Sequence, residues 1–209
     1  MKVLAIGAHF DDIELGCGGT LLKHKQAGDE IYLLVVTHSG YTSSNKKLTR
    51  QKEQAKSEGE ESAKALGATL ICCEKAPHSI VQTEELVLEL EEIINNINPD
   101  RVYTHQPNDS HADHSAIGYC SIRACRKCSE VMLYRSNWYI MDNAQDDNYY
   151  VNISAHIEKK MELMRIFKSE MEQVNYSWVD FVKKQNSASG AKINVSYVET
   201  FHIMKKVWG

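Results

Sequence analysis

The sequence predicts an α/β fold with a mostly parallel central sheet flanked by helices. Two observations point there. Short apolar runs, such as Val3-Leu4-Ala5-Ile6 and Leu33-Leu34-Val35-Val36, alternate with stretches of helical spacing, the habit of strands buried on both faces. Residues able to do chemistry stand directly after two of the strands, where open α/β sheets bind ligands.

The first strand is expected at residues 2–7. A helix follows, beginning among residues 16–20, running to about Ala27 and ended by Gly28. Residues 30–37 form the second strand. The polar loop 38–48 is long and placed to line or cover a site. A second helix covers about 49–66, with Gly67 as its stop. Residues 69–73 make the third strand. Helix three covers 83–96, with Leu86, Leu90, Ile93, Ile94 and Ile97 at helical spacing. Pro99-Asp100 turns the chain into strand four, 101–105, and a fourth helix runs to about Cys128 with Ser110 as N-cap and Asp113 completing a capping box. Residues 131–135, 138–141 and 149–153 are short strand candidates. Ser154 caps a helix to about Phe167, residues 178–184 form another, 187–190 a loop, and 195–204 a final extended segment.

The chain has 209 residues, 43% hydrophobic and 25% charged, consistent with one globular domain over 1–209. A net charge of −4 leaves no basic footprint for nucleic acid. No apolar run approaches the roughly 18–20 residues of a membrane span, and the first strand stands where a signal peptide would. A cytoplasmic location is expected, with the six cysteines reduced. Cys120, Cys125 and Cys128 imitate three positions of a plant-type iron–sulfur pattern, but no fourth cysteine follows.

Two stretches carry chemistry. After the first strand come His9, Asp11 and Asp12; after the fourth come Asp109, His111, Asp113 and His114. Adjacent aspartates repel, so keeping both ionised calls for a cation. A metal would supply it, binding one Asp and leaving the other free as a base. His111 and His114 lie three apart on a helix and face roughly the same way, so one can reach a metal while the other stands beside it. Alone, an Asp-Asp pair is a solvated turn and a His-x-x-His near a helix start is capping polarity. Both sets at the ends of parallel strands favour a shared site. Cys17-Gly18-Gly19 lacks the G-x-G-x-x-G spacing of a dinucleotide loop and reads as tight helix packing.

His9-Phe10-Asp11-Asp12 followed by His111-Ala112-Asp113-His114 resembles the zinc-dependent N-acetylglucosaminyl deacetylases of the LmbE-like / PIG-L family, whose motifs read A-H-P-D-D and H-P-D-H. Phe10 and Ala112 stand where the family has Pro; neither position supplies a ligand. The resemblance implies a Rossmann-like sheet and His9, Asp12 and His114 as ligands of Zn2+, with Fe2+ or another divalent metal as substitutes. It implies that metal-bound water attacks an N-acetyl group of an amino sugar, an N-acetylglucosamine-type substrate or glycoconjugate intermediate. Asp11 would be the general base. His111 would stand beside the oxyanion as a cation, steadied by Asp113 or Asp109. The family's Arg-x-x-Glu on the second helix is matched at Glu58 and at Leu66-Gly67, but Ala55 and Lys56 occupy the place of the Arg, and Arg50 lies a turn or more earlier. The implied partner is a small amino-sugar substrate, with a homo-oligomer left open. Alternatives are a metal- or sugar-nucleotide-binding module without turnover, against which the free Asp11 argues, and a dinucleotide-dependent enzyme, against which the glycine spacing argues.

Overall fold

The computed structural model describes residues 1–42, 48–137 and 146–208. Its elements are β1 (Lys2–Gly7), α1 (Asp12–Gln26), β2 (Glu30–Thr37), β3 (Tyr41–Thr42), β4 (Leu48–Arg50), α2 (Lys52–Leu66), β5 (Thr69–Lys75), α3 (Glu84–Ile97), β6 (Arg101–His105), α4 (Ala112–Ala124), β7 (Glu130–Tyr134), β8 (Tyr149–Asn152), α5 (Ile157–Ile166), α6 (Lys168–Met171), α7 (Ser177–Ala191) and β9 (Val198–Lys206).

The central sheet has the order β5-β2-β1-β6-β7-β9-β8. From β5 to β7 neighbouring strands are parallel, while β9 runs antiparallel to both β7 and β8. The α/β expectation is met. The chain steps outward from β1 to β2 and β5, then returns to β6 on the other side of β1. The crevice outside the carboxyl ends of β1 and β6 is therefore a topological switch point, the usual ligand position in such sheets.

Alternation along β1 builds two cores. Leu4 and Ile6 pack with α3 and α4, through Leu86, Leu90, Ile94 and Ile117. Val3 and Ala5 pack with α1 and α2, through Ile13, Leu21, Ala55 and Leu66. A third cluster joins α5 and α7 around Met161, Met164, Val179 and Val182.

Several boundaries differ from expectation. Helix α1 starts at Asp12, and the expected start falls on a kink at Cys17 (φ −140°, ψ 16°). There Glu199 accepts hydrogen bonds from the Gly19 and Thr20 amides, capping the second half. Gly16 permits the close approach of Tyr134, whose ring lies 2.1 Å from where a Cβ would sit. Helix α2 starts three residues late because Arg50 pairs with Tyr41 in a small hairpin. The capping box at Ser110 does not form: His111 is the N-cap, and the Asp113 carboxylate is engaged elsewhere. Ser154 does not cap α5; its hydroxyl accepts from the Tyr197 amide, and His156 precedes the helix. Residues 187–190, expected as a loop, are helical within α7. The strand expected at 138–141 lies outside the described residues.

Candidate active site

The loop after β1 holds its shape through its own polar groups. The His9 amide donates to Asp12 Oδ2 at 2.7 Å, the Phe10 amide to Ser39 Oγ at 2.9 Å, and Arg50 to the Phe10 carbonyl at 3.1 Å. Asp11 is left at φ 128°, a conformation that L side chains rarely adopt. Such strain costs roughly 1–3 kcal/mol and persists only where the surroundings impose it.

Across the crevice the start of α4 delivers His114. His9 Nδ1 lies 3.3 Å from Asp12 Oδ2 and 3.3 Å from His114 Nε2, and His114 Nε2 lies 3.2 Å from Asp12 Oδ1. Each distance is close to the roughly 3.3 Å separation of ligands on a tetrahedral zinc with bonds of about 2.0–2.1 Å, with Asp12 meeting the two imidazoles through different oxygens. The other nitrogen of each histidine meets a carboxylate: His9 Nε2 lies 3.0 Å from Asp113 Oδ2, and His114 Nδ1 lies 3.3 Å from Asp109 Oδ2. A carboxylate behind the imidazole is how metal-binding histidines are usually oriented.

The electrostatics ask for positive charge at the same point. Burial opposes protonation of His9, but the Asp113 and Asp12 carboxylates outweigh it and raise its pKa to about 9. His114 is raised to about 10, again against burial, by Asp12 and Asp109. Burial would raise Asp12, yet His114 and His105 hold it well below the usual carboxylate range. Two protons or one divalent cation can meet this demand, and an N,N,O donor set suits zinc. The residues present therefore fit such an ion.

Asp11 sits beside this trio with a different balance. Burial, then the charge of Asp12, push its pKa well above the ordinary value, with Arg50 opposing. Among the described residues nothing donates a hydrogen bond to its carboxyl group, which lines the cavity.

His111 stacks on His114 with ring centroids 4.3 Å apart. Burial, then His114 and His9, lower its pKa to about 4. These surroundings favour the neutral imidazole over the expected cation. Neither suggested acid bonds its ring: Asp109 accepts from its backbone amide, and Asp113 serves His9. Asp113 also accepts from the amides of His78 and Ile80, tying the loop after β5 to the site; burial would raise its pKa, but His9 first and then these amides bring it down to about 2.

The cavity at this point has a volume of about 350 Å³. Its walls include Tyr41, from the loop expected to line or cover a site, Arg50, whose position looked displaced, and Pro77, His78, Asn137, Glu170 and Trp178, which the sequence reading did not place at a site. From β4 rather than from the helix, Arg50 reaches Glu58 at 3.1 Å and Glu170 at 3.4 Å. A usable signal existed, since Arg50 is the one arginine among the first hundred residues. His78 follows Pro77 in a loop and had none. Ser136 donates to Asp12 Oδ1 at 2.8 Å. His105 also touches Asp12, at 3.3 Å, but its Nε2 accepts the Ala8 amide at 3.1 Å and it lies fully buried behind the cavity.

The chain is similar to known deacetylases. The family described as PIG-L, GlcNAc-PI de-N-acetylase, matches residues 4–125, which hold both motifs. The uncharacterised deacetylase YaiS of Escherichia coli K12 is 31% identical over 172 residues, covering 73% of this chain and 87% of the relative. The diacetylchitobiose deacetylase of Thermococcus kodakarensis is 28% identical over 204 residues, covering 87% of this chain and 75% of the relative. The structure of the N,N'-diacetylchitobiose deacetylase from Pyrococcus horikoshii superposes with a TM-score of 0.84 at 26% identity, covering 97% of this chain and 83% of that one.

Proposed function

The chain belongs to the PIG-L (GlcNAc-PI de-N-acetylase) family, and we propose that it is a divalent-metal hydrolase that removes the acetyl group from an N-acetylated amino sugar. One observation carries this reading: His9 Nδ1 and His114 Nε2 lie 3.3 Å apart and each lies 3.2–3.3 Å from an oxygen of the Asp12 carboxylate, beside an Asp11 carboxyl group that accepts no hydrogen bond among the described residues.

His9, Asp12 and His114 hold the ion, zinc in the first instance. When bound, zinc polarises an amide oxygen and lowers the pKa of water to about 7. Asp113 and Asp109 keep the two imidazoles in the tautomers that present Nδ1 of His9 and Nε2 of His114. Asp11 works as the base: its carboxylate takes a proton from the attacking water and returns it to the amide nitrogen, so that the amine leaves neutral. A cation beside Asp11 lowers its raised pKa and readies the ionised form. His111, neutral at the operating pH, donates an N–H toward the oxyanion formed at the acetyl carbon. Such a donor contributes a few kcal/mol when it is already in place.

Support for a sugar comes from the two relatives named as diacetylchitobiose deacetylases and from the cavity itself. Tyr41, His78 and Trp178 offer ring faces, while Arg50, Asn137 and Glu170 offer polar groups, a mixture suited to a small polyhydroxylated ligand. The test is a panel of N-acetylated mono- and disaccharides assayed for free amine. Amine release that chelator abolishes and zinc restores is expected. Release that persists undiminished with chelator, or none from any sugar by the zinc-loaded protein, contradicts the reading.

A further inference from the structure

Cys125-Arg126-Lys127-Cys128 is a C-x-x-C sequence at the far end of α4 from the candidate site. The thirteen residues of that helix separate the two by about 20 Å of rise. Cys125 ends the helix and opens a single 3-10 turn, Cys125–Lys127, closed by the Cys128 amide donating to the Cys125 carbonyl at 2.9 Å. At about 2.0 Å of rise per residue, this turn sets the two Cα atoms about 6 Å apart, within the roughly 4.4–6.8 Å that a disulfide bridges. Lys205, from β9, donates to the carbonyls of Cys125 at 2.9 Å and Arg126 at 3.0 Å, fixing the turn and placing an ammonium near both sulfurs. Cys125 is wholly buried, whereas Cys128 is 7% exposed. Both are free thiols.

We propose that Cys125 and Cys128 form a reversible disulfide by exchange with small-molecule disulfides such as oxidised glutathione, making this turn a redox-modification site.

The environment assigns the roles. Cys128 is the more exposed of the two cysteines and stands by the Lys205 ammonium, whereas Cys125 is wholly buried. Cys128 is therefore the attacking thiolate. It bonds to one sulfur of the external disulfide, whose S–S bond breaks, and the other half leaves as a thiolate that takes a proton from solvent. Cys125 then gives its proton to solvent, attacks Cys128 Sγ and expels the second small thiol. The external disulfide gains two electrons and two protons, and the cysteine pair loses them. The competing account is that both sulfurs merely fill the core they share with Cys120 and Val131.

The experiment equilibrates the full chain with graded mixtures of reduced and oxidised glutathione, quenches with acid, alkylates remaining thiols and maps them by mass spectrometry. Trypsin cuts after Arg126 and Lys127, so the two cysteines stay joined only through a disulfide. The expected result is a linked pair that dithiothreitol reverses, with buried Cys17 still alkylated. Cys125→Ser is expected to leave Cys128 as a mixed disulfide with glutathione, and Cys128→Ser to leave Cys125 unmodified. The proposal is overturned if both cysteines remain fully alkylated under conditions that already modify the less buried Cys72 and Cys73, or if linkage appears only in denaturant.

Discussion

Asp11 combines a strained backbone, a buried carboxyl group and, among the described residues, no hydrogen-bond donor to that group. A residue kept only for structure would be relieved of at least one of these. Asp11→Asn keeps the shape and removes the proton acceptor. It should lower kcat by about 10²–10⁴-fold with metal content, read by elemental analysis, unchanged; undiminished turnover would remove Asp11 from its role. A second buried acid, Glu14, has a structural signature instead. Burial raises its pKa to about 7 from an ordinary value of 4.5, partly offset by the Ser62 hydroxyl donating at 2.5 Å. The protonated form is the one the fold favours. Its contribution is therefore full below about pH 4.5 and is lost as pH rises through about 7. Comparing denaturant midpoints of the metal-free wild type and Glu14→Gln between pH 5 and 8, the variant should lack a decline on the order of 3 kcal/mol. Parallel pH profiles would contradict this. Residues such as His9 and Asp12 were legible because their neighbours in sequence are their partners in space. Glu170 and His78 were not, because only the folded chain brings them to β1.

At the scale of elements, the kinked α1 is what lets one short segment serve two ends. Its first half presents Asp12, and its second half packs under α5. The kink is stabilised by Glu199, which caps Gly19 and Thr20 and meets Lys160 Nζ at 2.7 Å in full burial. Lys160 also donates to the Leu15 carbonyl at 2.9 Å, on the near side of the kink. Removing one partner of such a pair strands a buried charge, at about 3–5 kcal/mol. Lys160→Met should lower unfolding stability by that amount, and adding Glu199→Gln should recover part of it. A loss below about 1 kcal/mol would place the stabilisation of the kink elsewhere. The Gly16–Gly19 stretch marked a break in the sequence pattern, but whether helix would resume without a turn depended on a carboxylate 180 residues away.

For the whole molecule, the alternation of strands and helices carried the fold class, and the two motif strands, β1 and β6, are neighbours in the sheet. The edge strand β8 was harder to read, since its alternating burial lacks the doubly buried apolar pattern of β2. Among the described residues no helix is long and apolar enough to cross a membrane. In the proposed site the ion would be held from both sides of the switch point, so its binding would be coupled to folding. Zinc at 100 times its Kd should add about 2.7 kcal/mol of stability, seen as a rise in Tm that chelator reverses; a Tm indifferent to zinc would mean that the site is not formed by the fold.

The most direct measurement is calorimetric titration of the metal-free protein with zinc, beside His9→Ala, His114→Ala and Asp11→Asn. Three donors at 3.2–3.3 Å predict one site per chain that both histidine variants weaken by at least 100-fold and that Asp11→Asn retains. Unchanged zinc affinity in His9→Ala and His114→Ala would contradict the assignment of the ion to these side chains, and with it the mechanism built around it.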